Sequence, residues 1–546
     1  MVNQSTPHTV TDEKASWVPM ITIALAQILM SFNVASLPVA LGGMVNSFNV
    51  PPTTIATGIV VYSLSVAGFV MLGAKLNQRF GPLIIFRATV LLFGVAQVMM
   101  TFSPNATIMI SAQALSGLTA AALVPALVAL IAENYRGAQQ ATALGTLGSA
   151  RAGAGVAAFL IGGVLGTYIG WRPAFGLLIV LSAVIFILSF RMKADKGRPE
   201  VSIDIVGVVL AATSIILLSF GFNNLNRWGM GLVRDAAPFD LLGFSPAPFM
   251  IVIGIVLGQL FVVWTRRVKE KGKTPLLALE VITSPTERAA VVAMFAVVAL
   301  EAMLNFSVPL YIQIVQGSTP LATAIAMMPF NLSVFFSATL IVRFYHKLTP
   351  QKIGRYGFIL CTLSLLWLAF VVRNNWSEFA VLFGLVAFGI GQGSLVTLLF
   401  NVLVSASPKD LAGDVGSLRG TTNNLANAIG TAVAGALLVG LLSSSVMRNI
   451  VQTPVLTPEI QAQVNLDNIN FISNDRLLTV LSQTTATPEQ VAEAVRVNEE
   501  SRLKALKFGL LIMAFLSMMA IIPAGRLPGY LPGELPADNL DKEPTK

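Results

Sequence analysis

The chain has 546 residues, of which 55% are hydrophobic and 11% charged, and its formal net charge is +9. Soluble globular proteins carry about 25% charged residues, so this composition excludes a soluble domain and indicates a protein embedded in a membrane. His8, His346 and Cys361 are the only histidines and cysteine, which excludes an intramolecular disulfide and leaves no basis for hydrolytic metal chemistry. We therefore expect neither enzymatic activity nor a cofactor.

Apolar segments long enough to cross ~30 Å of hydrocarbon follow one another along nearly the whole chain. Residues 1–16 are polar and hold no cleavable signal sequence, so the first span is expected to direct insertion. Glycine lowers the hydropathy of the spans at 143–168 and 415–442. The predicted spans are 17–40, 54–74, 83–102, 107–132, 143–168, 174–191, 204–222, 248–265, 289–311, 322–343, 355–372, 378–404, 415–442 and 506–524.

Lysine and arginine residues are concentrated in alternate connections between these spans. The largest clusters are RMKADKGR at 191–198 and TRRVKEKGK at 265–273. The positive-inside rule places these connections in the cytoplasm, and an even number of spans then places both termini there as well. The basic residues thus predict the topology of a protein in the inner (cytoplasmic) membrane, in contact with lipids, and not a nucleic-acid partner.

The order of the spans predicts the domain organisation. Residues 443–505, the largest segment outside the spans, are expected to form short amphipathic helices, with a helix start at Thr487, Pro488 and Glu489. The predicted parts are a cytoplasmic N-terminus (1–16), an N-terminal six-helix bundle (17–191), a linker with two inserted spans (192–288), a C-terminal six-helix bundle (289–524) and a cytoplasmic tail (525–546).

Two connections between spans share a spacing that indicates an internal repeat. Pro82 precedes Arg87 by five residues after the second span, and Pro350 precedes Arg355 by five residues after the tenth. Both connections occupy the same cytoplasmic turn in two sets of six spans. Halves related in this way enclose a site near the middle of the membrane and rock around it.

Five blocks of sequence carry a family resemblance. They are RFGPL (79–83), ALSGLTAAALVPALVALIAENYRG (114–137), GAGVAAFLIGGVLGTYIGWRPAF (153–175), PLYIQIVQGSTPLATAIAMMP (309–329) and LAGDVGSLRGTTNNLANAIGTAVAGALL (411–438). In this order they resemble the major facilitator superfamily, specifically its fourteen-helix drug:proton antiporter branch. The resemblance implies an all-α polytopic fold of two six-helix bundles with two inserted helices, and export of hydrophobic or amphipathic small molecules in exchange for protons.

The chain departs from the family pattern in the amino-terminal half. Gln78 stands where the family has an aspartate, Gln113 where it has a buried arginine, and Leu29 where many exporters hold an acid. Ala158 and Phe159 replace a Gly-Pro pair in the fifth span. The resemblance still assigns a gating role to the connection after the second span, whose candidate residues are Gln78, Arg79, Gly81 and Arg87.

Glu301 is therefore the leading candidate for proton coupling. It lies in the apolar stretch VVALEAMLNF, with no basic residue nearer in sequence than Arg288. An ionised acid at the centre of a span costs about 2.5–3.5 kcal/mol, and protonating a glutamate at pH 7 costs about 3.7 kcal/mol. The balance is close, so a change in hydration can move the proton. The alternative is a fixed interhelical contact of Glu301 with Asn305 or Arg151.

Other intramembrane polar residues are candidates for the lining of a substrate cavity, although each also suits a hydrogen bond between packed helices. Two rival functions stay open: a facilitator or transporter of lipid-like substrates without tight proton coupling, and a membrane sensor or assembly factor that does not transport. We expect a monomer whose partners are a small-molecule substrate and a proton. The cavity candidates are Asn33, Gln113, Arg151, Asn305, Asn331, Gln392 and Asn401.

Overall fold

The computed structural model describes residues 16–135, 137–192, 196–234, 237–282, 284–341, 347–373, 375–406, 412–452 and 487–529. Within these ranges the chain is helical and forms no β-strand, and fourteen long helices are numbered α1 to α14 in chain order. Helices α1 to α8 are Val18–Phe48, Pro52–Phe80, Pro82–Thr101, Ala106–Asn134, Gly137–Tyr168, Arg172–Ser189, Ile205–Trp228 and Pro246–Glu270. Helices α9 to α14 are Pro285–Leu310, Pro320–Leu340, Pro350–Val371, Phe379–Ala406, Ala412–Gln452 and Pro488–Ala524.

The hydropathy of these helices fits a protein that crosses a membrane many times. Thirteen of the described helices are long and apolar enough to span a bilayer. Helix α13 is not among the thirteen.

Proline and small polar residues set where many of the helices begin. At the start of α9, the Ser284 side chain accepts a hydrogen bond from the Glu287 amide, and the Glu287 side chain accepts one from the Ser284 amide. Such a capping box satisfies amides that have no partner inside the helix. Gly81, with a φ of 91°, ends α2, and Pro82 begins α3 directly after it.

Short connections of this kind make successive helices antiparallel. With fourteen helices, α1 begins and α14 ends on the same face of the molecule. We call this face the tail side and the opposite face the loop side.

The helices form two bundles with the same packing pattern. In the first bundle, α2 packs on α4, α1 on α5 and α3 on α6. In the second, α10 packs on α12, α9 on α13 and α11 on α14, which are the corresponding helices of a six-helix repeat. Contacts of α2 with α13 and of α5 with α10 join the bundles. Because α2 corresponds to α10 and α5 to α13, the repeat turns each of these contacts into the other. The predicted all-α fold of two six-helix bundles with two inserted helices is therefore confirmed.

The spacing from proline to arginine marks the same contact in both bundles. Arg87 of α3 donates from Nε to Ser189 Oγ at 3.2 Å and from Nη2 to the Ser189 carbonyl oxygen at 2.9 Å, at the end of α6. Arg355 of α11 lies over Gly525 at the end of α14, where a Cβ built on the glycine would come within 2.9 Å of Nη2. A cation next to the last carbonyl groups of a helix is favourable. Each arginine thus fastens the third helix of its bundle to the end of the sixth.

The two inserted helices lie outside the bundles. Helix α7 packs on α2 and on α13, and so contacts both bundles, whereas α8 packs chiefly on α7. The contact of α7 with α2 is close, since a Cβ built on Gly68 would meet the Ala212 Cα at 3.5 Å. Helix α8 leaves large apolar side chains exposed, among them Phe249, Val252 and Val256, as expected of a helix that faces lipid.

The predicted helix start at Thr487 is confirmed, because Thr487 caps α14 and forms a capping box with Gln490. In the described part of 443–505, the helix that begins at Thr487 is not a separate short one, because α14 runs unbroken from Pro488 into the last span. Its first turns contain no internal glycine or proline, and helix growth is cooperative once it has begun. Residues 1–15, 453–486 and 530–546 lie outside the described residues, and the predicted domain boundaries stay predictions.

Candidate functional site

The two bundles meet between the middle of the helices and the loop side. Between α5 and α10, the Leu321 amide donates a hydrogen bond to Thr167 Oγ1 at 3.0 Å. Between α2 and α13, Asn427 Nδ2 donates to Ser63 Oγ at 2.8 Å. These are the two helix pairs that the internal repeat exchanges, so the two seams are equivalent parts of one interface.

Gln313 makes a further contact between the bundles. It lies in a π-helical turn, Tyr311–Val315, that continues α9. Its Oε1 accepts a hydrogen bond from the Gly42 amide at 2.7 Å, and its Nε2 donates to the Pro38 carbonyl oxygen at 3.0 Å. Residues 38 and 42 are the acceptor and donor of one i→i−4 position in α1, so the Gln313 amide inserts into the backbone of the opposite bundle. Turns of this π-helical type occur frequently at functional sites.

Helices α5 and α10 separate toward the tail side. Gly148, Gly155 and Gly166 share one face of α5, because each residue of an α-helix turns it by about 100°. A Cβ built on Gly166 would come within 3.1 Å of Pro320 in α10, whereas nothing lies within 4 Å of one built on Gly155 or Gly148.

The seam between α2 and α13 opens in the same direction. A Cβ built on Gly420 would meet Val70 at 3.0 Å, but one built on Gly416, a turn nearer the tail side, would meet nothing within 4 Å. From the open space beside these glycines we infer that the bundles enclose a central cavity that is closed at the loop side and open at the tail side.

Glu301 lies between α9 and α12, about 24 Å along α9 from its tail-side start, and it is partly exposed. The fully buried Gln392 donates from Nε2 to the Val297 carbonyl oxygen at 2.7 Å and to Glu301 Oε2 at 3.4 Å. Gln392 is therefore the hydrogen-bond partner of Glu301 among the described residues, instead of Asn305 or Arg151.

Acceptors outnumber donors around this carboxyl group. The buried Gln392 Oε1 and Asn305 Oδ1 receive no hydrogen bond from the part of the chain that the structure describes. Asn305 lies one turn from Glu301 on the same face of α9. An ionised Glu301 adds two more acceptor oxygens to this pocket, whereas a protonated Glu301 supplies it with a donor.

Two arginines from opposite bundles lie close enough to each other for their charges to interact. Arg151 of α5 is exposed and lies on the same side of the helix as Gly155. Its charge acts on Tyr62 of α2 and repels Arg419 of α13. Arg419 stacks on Phe400 of α12, with its Cζ 3.6 Å from the ring centroid. The salt bridges among the described residues include neither arginine.

Asn33 and Gln113 lie together but away from open space. Asn33 Nδ2 donates to Gln113 Oε1 at 3.0 Å, and Gln113 Nε2 donates to Asn33 Oδ1 at 3.4 Å. Both residues are fully buried between α1 and α4, so the pair joins two helices of one bundle. Their predicted contact with substrate stays a prediction.

The other two cavity candidates lie apart from the Glu301 pocket. Asn331 Nδ2 donates to the Met327 carbonyl oxygen of its own helix at 3.0 Å. Asn401 follows Phe400 near the tail-side end of α12 and is partly buried. The structure thus brings Gln392 to Glu301 and keeps Asn305 one turn away, whereas no hydrogen bond joins Asn331 or Asn401 to Glu301 among the described residues.

The predicted gating connection is tied to the first bundle and to the segment that follows it. The Gln78 carbonyl oxygen accepts a hydrogen bond from the Arg198 amide at 2.8 Å, and the Arg79 Cζ lies 5.7 Å from the centroid of the Phe80 ring. Arg87 is occupied at the end of α6, as described above. The gating role of this connection stays a prediction.

Two residues of the site are absent from the sequence-based candidates. Arg419 is an arginine within a predicted span, and the repeat places α13 in the position that α5, with Arg151, has in the first bundle. That correspondence could have identified Arg419 as a candidate from the sequence. Gln313 is a polar residue in an apolar run, which suggests burial, but its insertion into α1 depends on a contact between residues 271 positions apart.

Comparison with known proteins identifies the family. The family model described as Major Facilitator Superfamily matches residues 23–431. The multidrug efflux pump LfrA of Mycolicibacterium smegmatis is 23% identical over 425 residues, which cover 77% of this chain and 81% of that protein. The tetracenomycin C resistance and export protein of Streptomyces glaucescens is 22% identical over 405 residues, covering 74% and 72%.

The fold is also similar to that of solved structures. One is the crystal structure of a bacterial homolog of the human lysosomal transporter Spinster, in an inward-facing and occupied conformation. It matches with a TM-score of 0.58 and 15% identity, and the match covers 92% of this chain and 96% of that one. At this level of identity the similarity concerns the fold alone.

Proposed function

The chain belongs to the Major Facilitator Superfamily, and on that premise we propose that it is a proton-coupled exporter of hydrophobic or amphipathic small molecules. It is a multi-pass membrane transporter and not an enzyme. The proposed location is the inner membrane with both termini in the cytoplasm, which makes the tail-open conformation inward-facing. Export is proposed because the relatives named above are an efflux pump and an export protein.

The observation that carries proton coupling is the position of Glu301. It is partly exposed within a membrane-spanning helix, and the acceptor oxygens Gln392 Oε1 and Asn305 Oδ1 of its neighbours lack a donor among the described residues. When the cavity opens to the loop side, Glu301 takes up a proton, and the neutral acid donates a hydrogen bond to Gln392 Oε1 or Asn305 Oδ1. A neutral acid avoids the cost of about 2.5–3.5 kcal/mol for a charge within the membrane, so it favours closure and return. In the tail-open state the acid meets water again and releases the proton.

Alternating access is supported by the contacts that close the loop side. They consist of two helix seams related by the repeat and of the Gln313 insertion into α1. A structure held by a small number of discrete contacts can exchange them for another set, whereas a fully packed core cannot.

A facilitator without tight proton coupling is the second candidate. The amide pair Asn33–Gln113 favours it, because the centre of the first bundle holds an uncharged contact at this position. If Glu301 serves only to bond Gln392, the same rocking motion carries substrate down its own gradient.

Transport in proteoliposomes tests the proposal. The probes are three dansyl-labelled alkyl amphipaths with the same apolar body and a sulfonate, a sulfobetaine or a quaternary ammonium head, since none of these heads titrates or crosses a bilayer readily. We expect at least one probe to accumulate against its gradient when a pH gradient is imposed, and the accumulation to collapse with the gradient. Equal flux with and without the gradient supports the facilitator, and no flux of any probe contradicts transport of amphipaths.

A further inference from the structure

We propose that Arg151 and Arg419 form a head-group subsite for an amphipathic anion, so that the substrates carry an apolar body and one anionic group. This inference rests on the proposed function, and it names the chemical class of the substrate. The subsite lies where α5 of the first bundle and α13 of the second face each other across the open part of the cavity.

The two arginines are an unbalanced pair of cations. Their charges repel each other, and neither forms a salt bridge or a hydrogen bond with a residue that the structure describes. Like charges within a membrane protein are unfavourable unless a counter-ion joins them. An anion placed between the two guanidinium groups removes the repulsion and adds charge-assisted hydrogen bonds.

Arg419 is held in a geometry suited to such a ligand. Its Cζ lies 3.6 Å from the centroid of the Phe400 ring, so the ring covers one face of the guanidinium group. The N–H groups point outward in the plane of the guanidinium group, where they match two oxygens of a carboxylate, sulfonate or phosphate. The apolar ring beside the charge is the surface that an amphipathic ligand needs.

Arg419 and Glu301 occupy different levels of the cavity. Phe400 follows Gln392 by eight residues in α12, and thus lies about 12 Å nearer the tail side. In the tail-open state an incoming molecule meets Arg419 before it reaches the Glu301 pocket. The two guanidinium groups add positive potential at this level of the cavity, which attracts anions and disfavours cations.

The position of the arginines also links binding to the conformational change. Arg151 and Arg419 belong to opposite bundles, and α5 and α13 stand apart at this level. An anion that contacts both residues holds the two helices together, so it favours closure of the tail side. A ligand that contacts one arginine only has no such effect.

Equilibrium binding tests the subsite. The full-length protein is placed in nanodiscs of phosphatidylcholine, and the affinities of the three dansyl probes are compared. We expect the sulfonate to bind at least tenfold more tightly than the quaternary ammonium probe. Arg151→Gln and Arg419→Gln should each weaken sulfonate binding by about tenfold, weaken sulfobetaine binding less, and not weaken binding of the quaternary ammonium probe. Arg373→Gln, at an exposed arginine on the loop side, is the matched control and should change none of these.

A charge-preserving variant and a competition with anionic lipid complete the binding experiment. Arg419→Lys keeps the charge and should retain most of the preference for the sulfonate, which a purely structural role would not predict. If Arg419→Gln fails to fold, the test relies on Arg151→Gln and Arg419→Lys. Arg151 is exposed, so its substitution should not prevent folding. Phosphatidylglycerol added to the nanodiscs shows the source of the anion: full competition identifies an anionic lipid as the natural occupant, and no competition identifies a smaller amphipath.

The proposal is overturned if the three probes bind wild-type protein equally, or if the arginine variants weaken all of them alike. Binding is measured without a pH gradient, so its outcome is independent of proton coupling. Sulfonate selectivity without gradient-driven transport would refute the proposed function and keep the subsite. Gradient-driven transport without head-group selectivity would support the proposed function and refute the subsite.

Discussion

Gln313 and Gly42 belong to opposite bundles, yet Gln313 Oε1 accepts the amide hydrogen of Gly42 at 2.7 Å. The same side chain donates to Pro38, the residue to which Gly42 would bond in a regular helix. Pro38 and Gly42 are one turn apart in the unbroken helix α1, so the Pro38 carbonyl oxygen and the Gly42 amide can bond to each other without Gln313. Helix α1 therefore keeps its polar groups satisfied in both states, and the contact can break and form repeatedly.

The first prediction concerns this contact. Gln313→Leu removes two hydrogen bonds that hold the loop side closed, worth about 1–3 kcal/mol together, so it should raise the population of the loop-open state by roughly tenfold or more. Ser63→Cys provides the readout, because Ser63 is fully buried in the seam between α2 and α13. The native Cys361 is also fully buried, so labelling by a charged maleimide reports on the introduced thiol.

Gln316→Leu is the control for this measurement. Gln316 accepts a hydrogen bond from Trp376 Nε1 at 2.9 Å within the second bundle, so its loss should leave the labelling rate of Ser63→Cys unchanged. Equal labelling rates in the Gln313 variant and the wild type would show that the contact does not hold the seam.

The second prediction uses two glycines of α5. A Cβ at Gly163 would come within 2.7 Å of the Ala324 Cβ in α10, whereas one at Gly155 would meet nothing within 4 Å. Gly163→Ala should therefore destabilise the closed loop side and slow transport by about tenfold, on the scale of 1–3 kcal/mol for overpacking. Gly155→Ala should transport at nearly the wild-type rate. Similar rates for the two variants would contradict the described packing of α5 on α10.

The third prediction separates a structural from a substrate-binding role for Asn33 and Gln113. Gln113→Leu leaves the buried Asn33 amide without its partner and should lower stability by about 1–2 kcal/mol. The double variant with Asn33→Leu should be no less stable than the single one, because both polar groups are removed together. Thermal unfolding in detergent measures both. Additive losses, with weaker binding of a probe, would instead indicate contact with substrate.

The fourth prediction addresses Glu301 directly. Glu301→Gln keeps the hydrogen-bonding shape but cannot release a proton, so binding of the sulfonate probe should stay within about threefold of wild type. Accumulation driven by a pH gradient should fall to the level without a gradient. Glu378→Gln, at the loop-side start of α12, is the matched control. A Glu301→Gln variant that responds normally to the gradient would remove Glu301 from the coupling mechanism.

Much of the architecture was predictable because hydrophobic length and charge distribution are local properties. The fourteen spans, including the weak one at 415–442, follow from hydropathy alone. The spacing from Pro82 to Arg87 and from Pro350 to Arg355 predicted a repeat, and the structure shows its physical meaning in the arginines that meet the ends of α6 and α14.

The site was predictable only in part, because it depends on contacts between distant residues. A carboxylate in an apolar stretch marks Glu301 as unusual, but nothing local indicates that Gln392 is its partner. The sequence marks Asn33 and Gln113 as cavity candidates, although in the structure their side chains form hydrogen bonds with each other. The unbroken start of α14 shows the converse, since a segment that looks separate by polarity remains helical when no residue interrupts it.

The contact of α7 with both bundles limits how the molecule can move. A helix that touches α2 on one side and α13 on the other cannot follow both when they turn apart. It must move with one bundle and slide along the other. Gly68 of α2 and Ala212 of α7 are small and in close contact, so few side chains obstruct the sliding of α7 along α2. The inserted helices α7 and α8 then stay at the boundary between the two bundles while these move. They keep lipid out of the gap between the bundles during the conformational change.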